Sequence, residues 1–375
     1  MSETLHSTAS TTTQLPLFSN LPPAPALPPA PTRPSVRGFP STRYQGSKYK
    51  IVDWIDRSTR HLRGSSVLDA FSGTGCVGYM YKRNGRRVIC NDALKFNHYI
   101  GLALIENKNV RLNADDLDFL LNTHSGMSYP TFIADTFHNI YFSDDENIWL
   151  DIVITNIRCL ENKYKQALAF YALFQSCIIK RPYNLFHRKN LYLRQAKVAR
   201  SFGNKTTWDR PFEEHFRKFA AEANAAVFDN GRDNRAQCSN IFNVNVNADI
   251  IYIDTPYISA RGAGVNYLDF YHFLEGIVRY EQWPTLIDNT SKHRKLQNSR
   301  NEWCSREQIH GAFEGLFAKF RNSALAVSYR ADGTPTIPEL VAMLKQQGKT
   351  VEVNALDYKY ALSKTASREV LITAV

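Results

Sequence analysis

The amino-acid sequence predicts an α/β protein with a Rossmann-like sheet and a largely helical region inserted between the two halves of that sheet. Residues 66–92 have the pattern of a strand, a glycine loop, a helix and a second strand that ends in an acid. Residues 249–254 are a further apolar strand. Later strands and helices alternate, as is typical of α/β folds. These later elements are strands at 323–329 and 368–374 and helices near 306–320 and 336–347.

The first 40 residues differ in composition from the rest of the chain. They hold nine of the 16 prolines, together with many serines and threonines. Such a stretch has too little apolar surface to form a core. We therefore predict a disordered tail over residues 1–40, followed by a helix over residues 43–60.

The glycine loop follows the first predicted strand. Residues 66–75 read Ser-Val-Leu-Asp-Ala-Phe-Ser-Gly-Thr-Gly, so an acid ends the strand and two glycines precede a helical stretch. Glycines let backbone amides approach a ligand closely. The next strand, residues 87–90, is followed by Asn91 and Asp92. An acid at this point of a βαβ unit can bind ribose hydroxyls, so the pattern indicates a nucleoside ligand.

The loop lacks the signatures of phosphate binding. No Lys-Ser or Lys-Thr follows the glycines, as a P-loop requires. The three-glycine fingerprint of dinucleotide sites is absent as well. A cofactor with a nucleoside but no phosphate fits better, and S-adenosylmethionine is the common one.

The middle of the chain is basic. The whole chain carries a formal net charge of +11 and has a pI near 9.3, which suits a polyanionic partner. Residues 148–175 have apolar side chains at helical spacing, whereas cations and aromatic rings are interleaved over 178–218. Basic side chains can position phosphates, and aromatic rings can reach bases, so the segment favours contact with a nucleic acid. The alternative is a basic helix that is only exposed to solvent. The predicted nucleic-acid contacts are Arg188, Lys189, Arg194 and Lys197.

The strand near residue 250 ends in an unusual turn. Residues 251–257 read Ile-Tyr-Ile-Asp-Thr-Pro-Tyr, which leaves Asp254 at the carboxyl end of the strand. Ligands of open α/β sheets bind at that end. Pro256 stiffens the turn, and Tyr257 supplies a flat face. A carboxylate, fixed carbonyls and a ring suit the binding of a planar base by its amino group. The alternative is a buried strand with an ordinary turn.

Aromatic residues follow this turn. Residues 266–273 read Asn-Tyr-Leu-Asp-Phe-Tyr-His-Phe. They could form the wall of a base pocket or fill the core of a helix. The sequence leaves both interpretations open.

Four segments together give the chain a resemblance to the Dam-type adenine-specific DNA N6-methyltransferases. They occur in that family's order, and the resemblance covers residues 43 to about 370. The first three resemble the family's cofactor segment, glycine loop and Asp-Pro-Pro-Tyr catalytic motif, and the fourth resembles a late strand and turn. The segments are Arg43–Lys48, Phe71–Gly75, Asp254–Tyr257 and Val327–Gly333.

The resemblance implies roles for individual residues. Tyr44 and Lys48 would close over S-adenosylmethionine, with Lys48 near its carboxylate. Asp92 would bind the ribose hydroxyls. Asp254, the Thr255 carbonyl, Pro256 and Tyr257 would hold an adenine that is flipped out of the duplex. The residues expected to line the methionine and adenosine pocket are Asp69, Phe71, Ser72, Gly73, Thr74 and Gly75.

The resemblance also implies an order of parts along the chain. We predict a cofactor-binding part over 41–150, an inserted target-recognition region over 151–247 and a catalytic part over 248–375. The expected partners are double-stranded DNA and a possible cognate restriction endonuclease, with no membrane and no metal. Six cysteines without a Cys-x-x-Cys pair or zinc spacing favour a reducing cytoplasm. The sequence has no signal peptide and no apolar stretch of membrane-spanning length.

Two features depart from the family. Thr255 stands where the family usually has proline, and residues 236–240 carry no acid where the family often has one. A backbone carbonyl is available at any residue, so we expect activity to survive the threonine. The alternatives are an RNA adenine methyltransferase of the same fold and a DNA-binding relative that has lost catalysis. Methylation of the cytosine ring would need a cysteine nucleophile, usually beside proline, and the chain has no Pro-Cys.

Overall fold

The computed structural model describes residues 38–196, 205–259, 264–297, 301–358 and 367–375. Residues 1–37 of the predicted tail therefore lie outside the described residues. The strands of the described part are β1 (Ser66–Asp69), β2 (Arg87–Asp92), β3 (Arg235–Cys238), β4 (Ile250–Ile253), β5 (Ile258–Ser259), β6 (Ala324–Arg330), β7 (Gly333–Thr334), β8 (Val351–Tyr358) and β9 (Ser367–Ala374).

Helices connect most of these strands. A 3₁₀-helix, Lys48–Ile51, precedes the first α-helix, and a π-helix, Leu102–Glu106, extends the third. The α-helices of the described residues are α1 (Val52–Thr59), α2 (Cys76–Arg83), α3 (Lys95–Gly101), α4 (Ala114–Leu121), α5 (Phe132–Thr136), α6 (Asp144–Arg158), α7 (Lys163–Ile179), α8 (Leu191–Gln195), α9 (Lys205–Asp209), α10 (Phe212–Ala226), α11 (Tyr267–Val278), α12 (Trp283–Leu286), α13 (Ile309–Lys319) and α14 (Ile337–Gln346).

Seven strands form one sheet in the order β3-β2-β1-β4-β6-β9-β8. The first five of these strands are parallel to one another, and β9 runs antiparallel to both β6 and β8. A mostly parallel sheet with helices on both faces confirms the predicted α/β, Rossmann-like fold class. The short strands β5 and β7 pair separately in an antiparallel two-stranded sheet.

Both faces of the central strands are buried, as continuous apolar strands predict. Val67 and Tyr252 belong to the core that includes residues of α2, α3, α7 and α11. Leu68 and Ile251, their neighbours in the sequence, belong to a second core formed with α13 and α14. Successive side chains of a strand point to opposite faces, so one short apolar run supplies both cores.

The carboxyl ends of adjacent strands bring three acids to one edge of the sheet. Asp69 ends β1 and Asp92 ends β2, while Asp254 directly follows β4. Strand β1 lies between β2 and β4 in the sheet. From β1 the chain passes to β2 on one side, and it later returns to β4 on the other side of β1. Open α/β sheets bind ligands at the point where the strand order reverses in this way.

The region between β2 and β4 is more regular than the sequence indicates. The apolar stretch at 148–175 is two helices, α6 and α7, because Asn162 begins the second by accepting hydrogen bonds from two backbone amides. Residues 178–247 contain α8, α9 and α10, and also β3, which extends the sheet beside β2. The proposed boundaries of the inserted region stay predictions. Among the described helices, none combines the length and apolar character that crossing a bilayer requires.

Candidate active site

The glycine loop joins β1 to α2 in the way the sequence predicts. Gly73 and Gly75 have φ angles of +50° and +73°, a left-handed conformation that side chains other than glycine rarely adopt. The Gly75 amide bonds to the Ser72 carbonyl at 2.7 Å, and the Ser72 amide bonds to the Asn91 carbonyl at 2.9 Å. The loop is therefore tied to the end of β2.

Asp92 fixes two loops through its two carboxylate oxygens. The Gly73 amide donates to Oδ2 and the Leu94 amide donates to Oδ1, both at 2.9 Å. Burial raises the pKa of the Asp92 carboxyl, although these amides oppose the rise. A carboxylate has about four lone-pair sites, so each oxygen keeps acceptor capacity for a ligand such as a ribose hydroxyl.

Asp69 is buried at the base of the loop. Its Oδ2 accepts a hydrogen bond from the Gly78 amide at 3.0 Å, whereas its Oδ1 has no hydrogen-bond partner among the described residues. Burial raises the pKa of Asp69 to about 8, and the charges of Asp254 and Asp92 contribute to the rise. A buried carboxyl with an unused oxygen is suited to a ligand that carries a donor or a positive charge.

The segment before α1 lies against the start of α11. The Tyr44 ring stacks on Tyr271 with ring centroids 4.5 Å apart, and on Tyr267 at 5.5 Å. The Gln45 amide donates to the Tyr271 hydroxyl at 2.8 Å. Gly46 has a φ of +81°, and a Cβ there would come within 2.3 Å of the Tyr267 hydroxyl. The aromatic residues after the catalytic turn therefore serve as both core filler and pocket wall.

Asp254 is the acid of the predicted catalytic turn, and it forms an ion pair with Lys48. The Lys48 Nζ lies 3.0 Å from Asp254 Oδ1 and 3.8 Å from Oε2 of the fully buried Glu369 on β9. Burial raises the pKa of Asp254 to about 6, while the Lys48 ammonium opposes this rise and the charge of Glu369 adds to it. The sequence did not predict that Lys48 would contact Asp254.

Thr255 and Tyr257, two further residues of this turn, differ in their side-chain contacts. Thr255 is buried, and its hydroxyl makes no hydrogen bond within the described part of the chain. The Tyr257 hydroxyl accepts a hydrogen bond from Arg330 Nη1 at 3.1 Å. The next residues form β5, which pairs with β7.

An aromatic wall completes the cleft on the side of the glycine loop. Trp303 packs edge-on against Phe71 at 5.1 Å and stacks on Phe242 at 5.9 Å between ring centroids. Asn240 Nδ2 donates to Glu302 Oε1 at 3.2 Å, which joins the two segments that carry these rings. No motif surrounds Trp303 in the sequence, and only the fold brings it to the site.

These parts line one cleft. Of the predicted catalytic residues, Asp254 and Pro256 line the cleft, whereas Thr255 and Tyr257 are on the same turn but outside the lining. The predicted cofactor residue Gly75 is also outside the lining and directly precedes α2. Residues that the sequence did not single out also contribute, including Asn97, Ile241 and Trp303. The predicted cofactor residues in the lining are Tyr44, Lys48, Asp69, Phe71, Ser72, Gly73, Thr74 and Asp92.

The candidate DNA-contact residues differ in how exposed their side chains are. Arg188 and Lys189 are exposed, as are the rings of Tyr183 and Tyr192. Arg194 is only 9% exposed, and its guanidinium binds both carboxylate oxygens of Glu146 at 2.7 and 2.8 Å. A contact of Arg194 with a phosphate would require breaking this pair, so the structure favours a structural role for it. Lys197 lies outside the described residues.

Known proteins match the chain over most of its length. The model of the family described as D12 class N6 adenine-specific DNA methyltransferase matches residues 44–310. The type II methyltransferase M2.HphI of Haemophilus parahaemolyticus is 30% identical over 340 residues, which are 88% of this chain and 95% of that protein. The type II methyltransferase M.NlaIII of Neisseria lactamica is 24% identical over 87% of this chain and 94% of its own length. M.FokI of Planomicrobium okeanokoites is also 24% identical, but the match covers half of that protein.

Proposed function

The chain belongs to the D12 class of N6 adenine-specific DNA methyltransferases, and we propose that it methylates the exocyclic amine of one adenine within a defined DNA sequence. The observation that carries this proposal is the position of Asp254. This acid lines the same cleft as the glycine loop, so a donor bound at the loop and a base bound at the acid would lie side by side.

The charges of the cleft support S-adenosylmethionine as the donor. Four acids line the cleft together with the cation Lys48: Asp69, Asp92, Asp254 and Glu302. The donor has a sulfonium and an ammonium, and both would lower the electrostatic cost of bringing these acids together. The unused oxygen of Asp69 and the remaining lone pairs of Asp92 are available to its polar groups. When bound, the donor supplies an activated methyl group.

The protein's own contribution to the reaction is orientation of the amine. The nitrogen of adenine's amino group is a poor nucleophile because its lone pair is delocalised into the ring. The Asp254 carboxylate and the Thr255 carbonyl would each accept one of its hydrogens, which favours a pyramidal nitrogen with its lone pair directed at the methyl group. Positioning and preorganised acceptors then account for most of the rate increase.

Lys48 would support this arrangement by orienting Asp254. Its ammonium occupies Oδ1 of the carboxylate, which leaves Oδ2 to accept the hydrogen bond from the base. The pairing also opposes the effect of burial and so favours the ionised carboxylate, the form that accepts hydrogen bonds. The contact of Lys48 with the donor's carboxylate stays a prediction from the family resemblance.

A base must leave the duplex to reach this cleft. We propose that the exposed segment around Arg188 and Lys189 contacts the DNA backbone while Tyr257 stacks on the flipped adenine. The segment packs against α11, since the Phe186 amide donates to the Phe270 carbonyl at 2.9 Å. The start of α11 lines the cleft, and this shared contact with α11 supports a position of the basic segment near the cleft.

Replacing both Arg188 and Lys189 with alanine should weaken DNA binding and flatten its salt dependence by roughly one unit of slope per lost phosphate contact. The measurement is fluorescence anisotropy of labelled duplex over a range of salt concentrations. The matched control replaces Arg321 and Lys345, which are exposed near the opposite edge of the sheet. An unchanged slope in the first variant would mean that this segment does not contact DNA.

The proposed function is tested by sequencing DNA from cells that express the protein, with detection of modified adenines. We expect one short recurring sequence with N6-methyladenine, and purified protein should transfer labelled methyl groups to duplexes that contain it. Preferential labelling of RNA would favour the alternative substrate, and donor binding without any transfer would favour a silent relative. A role in restriction-modification predicts that the methylated sequence resists a partner endonuclease. We propose a cytoplasmic location, which a DNA substrate and the six free thiols support.

A further inference from the structure

Arg330 stands at the end of β6 and contacts the tyrosine of the catalytic turn. Its Nη1 donates to the Tyr257 hydroxyl at 3.1 Å, and its Cζ lies 4.8 Å from the centre of the Tyr257 ring. The guanidinium therefore both stacks on the ring and binds its polar end. Arg330 belongs to the late strand-and-turn segment, Val327–Gly333, and lies beyond residue 310, where the match to the family model ends.

Asp332 fixes the orientation of this guanidinium. Nε of Arg330 donates to Oδ1 at 2.8 Å and Nη2 donates to Oδ2 at 2.7 Å. This two-bond pairing holds the planar group in one plane and leaves Nη1 for the tyrosine. A lysine at position 330 would keep a positive charge but could not make three directed bonds in that plane.

The backbone reinforces the link between the two turns. Strand β5 continues from the catalytic turn, and it pairs with β7 through Ile258 with Thr334 and Ser259 with Gly333. The Tyr329 hydroxyl donates to the Thr334 carbonyl at 2.6 Å. A Cβ at Gly333 would lie 2.4 Å from the Tyr329 ring, so the turn after Arg330 is closely packed. The turn that carries Tyr257 and the turn that follows Arg330 are thus held as one unit.

We propose that Arg330 is a positioning residue that holds the Tyr257 ring in its stacking orientation before the adenine arrives. The guanidinium covers one face of the ring and donates a hydrogen bond to its hydroxyl. A flipped base could therefore stack on a Tyr257 side chain that is already held in one conformation. This inference rests on the proposed function, in which Tyr257 stacks on the target base. Orientation of a contact group in advance reduces the entropy lost on binding and keeps the reacting atoms aligned.

The test compares Arg330→Lys, Tyr257→Phe and the double variant in single-turnover methylation. The arginine acts through the tyrosine hydroxyl, so we expect each single variant to lose about tenfold in rate and the double variant to lose no more than either one. Donor affinity and the salt slope of DNA binding should match wild type. The control is Arg368→Lys, because Arg368 forms a comparable pair with Asp357 at 2.9 Å on the neighbouring strands.

A second readout is the fluorescence of 2-aminopurine placed at the target adenine. Loss of a fixed stacking partner should change the emission lifetime of the flipped base in Arg330→Lys and leave it unchanged in Arg368→Lys. Rate losses that multiply in the double variant would show that Arg330 acts independently of the Tyr257 hydroxyl and would overturn the proposal. A salt slope reduced by about one unit in Arg330→Ala, which removes the charge, would instead make Arg330 a phosphate ligand and would also overturn it. If Arg330→Lys has the wild-type rate while Tyr257→Ala is impaired, the proposed role of Arg330 is wrong but the proposed function still stands. If Tyr257→Ala has normal activity, Tyr257 does not stack on the target base.

Discussion

Replacing Asp254 with alanine should abolish methyl transfer while the fold and the affinity for the donor persist. The substitution removes the only charged acceptor that the proposed mechanism offers to the adenine amine, and loss of one preorganised contact of this kind commonly costs about a hundredfold or more in rate. The measurement is transfer of labelled methyl groups to duplex DNA under single-turnover conditions. Near-normal turnover by a folded Asp254→Ala protein would refute the assignment.

The control for this substitution lies at the other end of β4. Asp249 precedes β4 at the opposite edge of the sheet, where its Oδ2 accepts hydrogen bonds from the Ser65 and Ser66 amides. Asp249→Asn should therefore leave the rate unchanged. In the wild type, the pKa of Asp254 is about 6, and only the ionised form is a full acceptor. The single-turnover rate should consequently fall below pH ~6, approaching tenfold per pH unit.

Replacing Asp92 with alanine should strongly weaken donor binding. It removes the proposed ribose acceptor and also leaves the Gly73 and Leu94 amides without their hydrogen-bond partner. Each unsatisfied buried donor costs about 1–3 kcal/mol, so loosening of the loop should raise the dissociation constant for S-adenosylmethionine at least tenfold. Isothermal titration calorimetry measures this directly.

DNA affinity distinguishes a local effect on the cleft from general unfolding. Asp92→Ala should bind duplex DNA as the wild type does, and Asp92→Asn should fall between the two because it keeps one acceptor oxygen. Gly73→Val should resemble the alanine variant, since valine is strained at a φ of +50° and Tyr44 lies 3.6 Å from the position of its Cβ. Wild-type donor affinity in Asp92→Ala would show that this cleft is not the donor site.

The parts of the site that the sequence predicts are those in which local chemistry determines local structure. An apolar run followed by an acid and glycines specifies a strand, a turn and a carboxylate at the end of the strand, so Asp69, Gly73 and Asp92 could be placed in advance. The same holds for Asp254, because the end of a parallel strand can be recognised without knowing its neighbours. Adjacent strands then bring these residues together.

The parts that the sequence does not predict depend on contacts between distant segments. Lys48 resembles any solvated lysine until the fold places Asp254 and Glu369 around its ammonium. Arg194 belongs to a basic stretch, yet Glu146 and burial give it a structural partner. Strand β3 is only four residues long and has no large apolar side chain, and its place in the sheet comes from pairing with β2. A sequence shows the charge and the secondary-structure propensity of each residue, whereas the burial and the contact partners of that residue depend on the fold.

The ion cluster of Lys48, Asp254 and Glu369 also constrains how this chain can change over evolutionary time. Its members come from three remote segments, and loss of Lys48 would remove the ammonium that faces both acids. Removing one partner of a buried charge pair usually destabilises a protein far more than replacing the whole set. We therefore expect a lineage that loses the Lys48 charge to change the neighbouring acids as well.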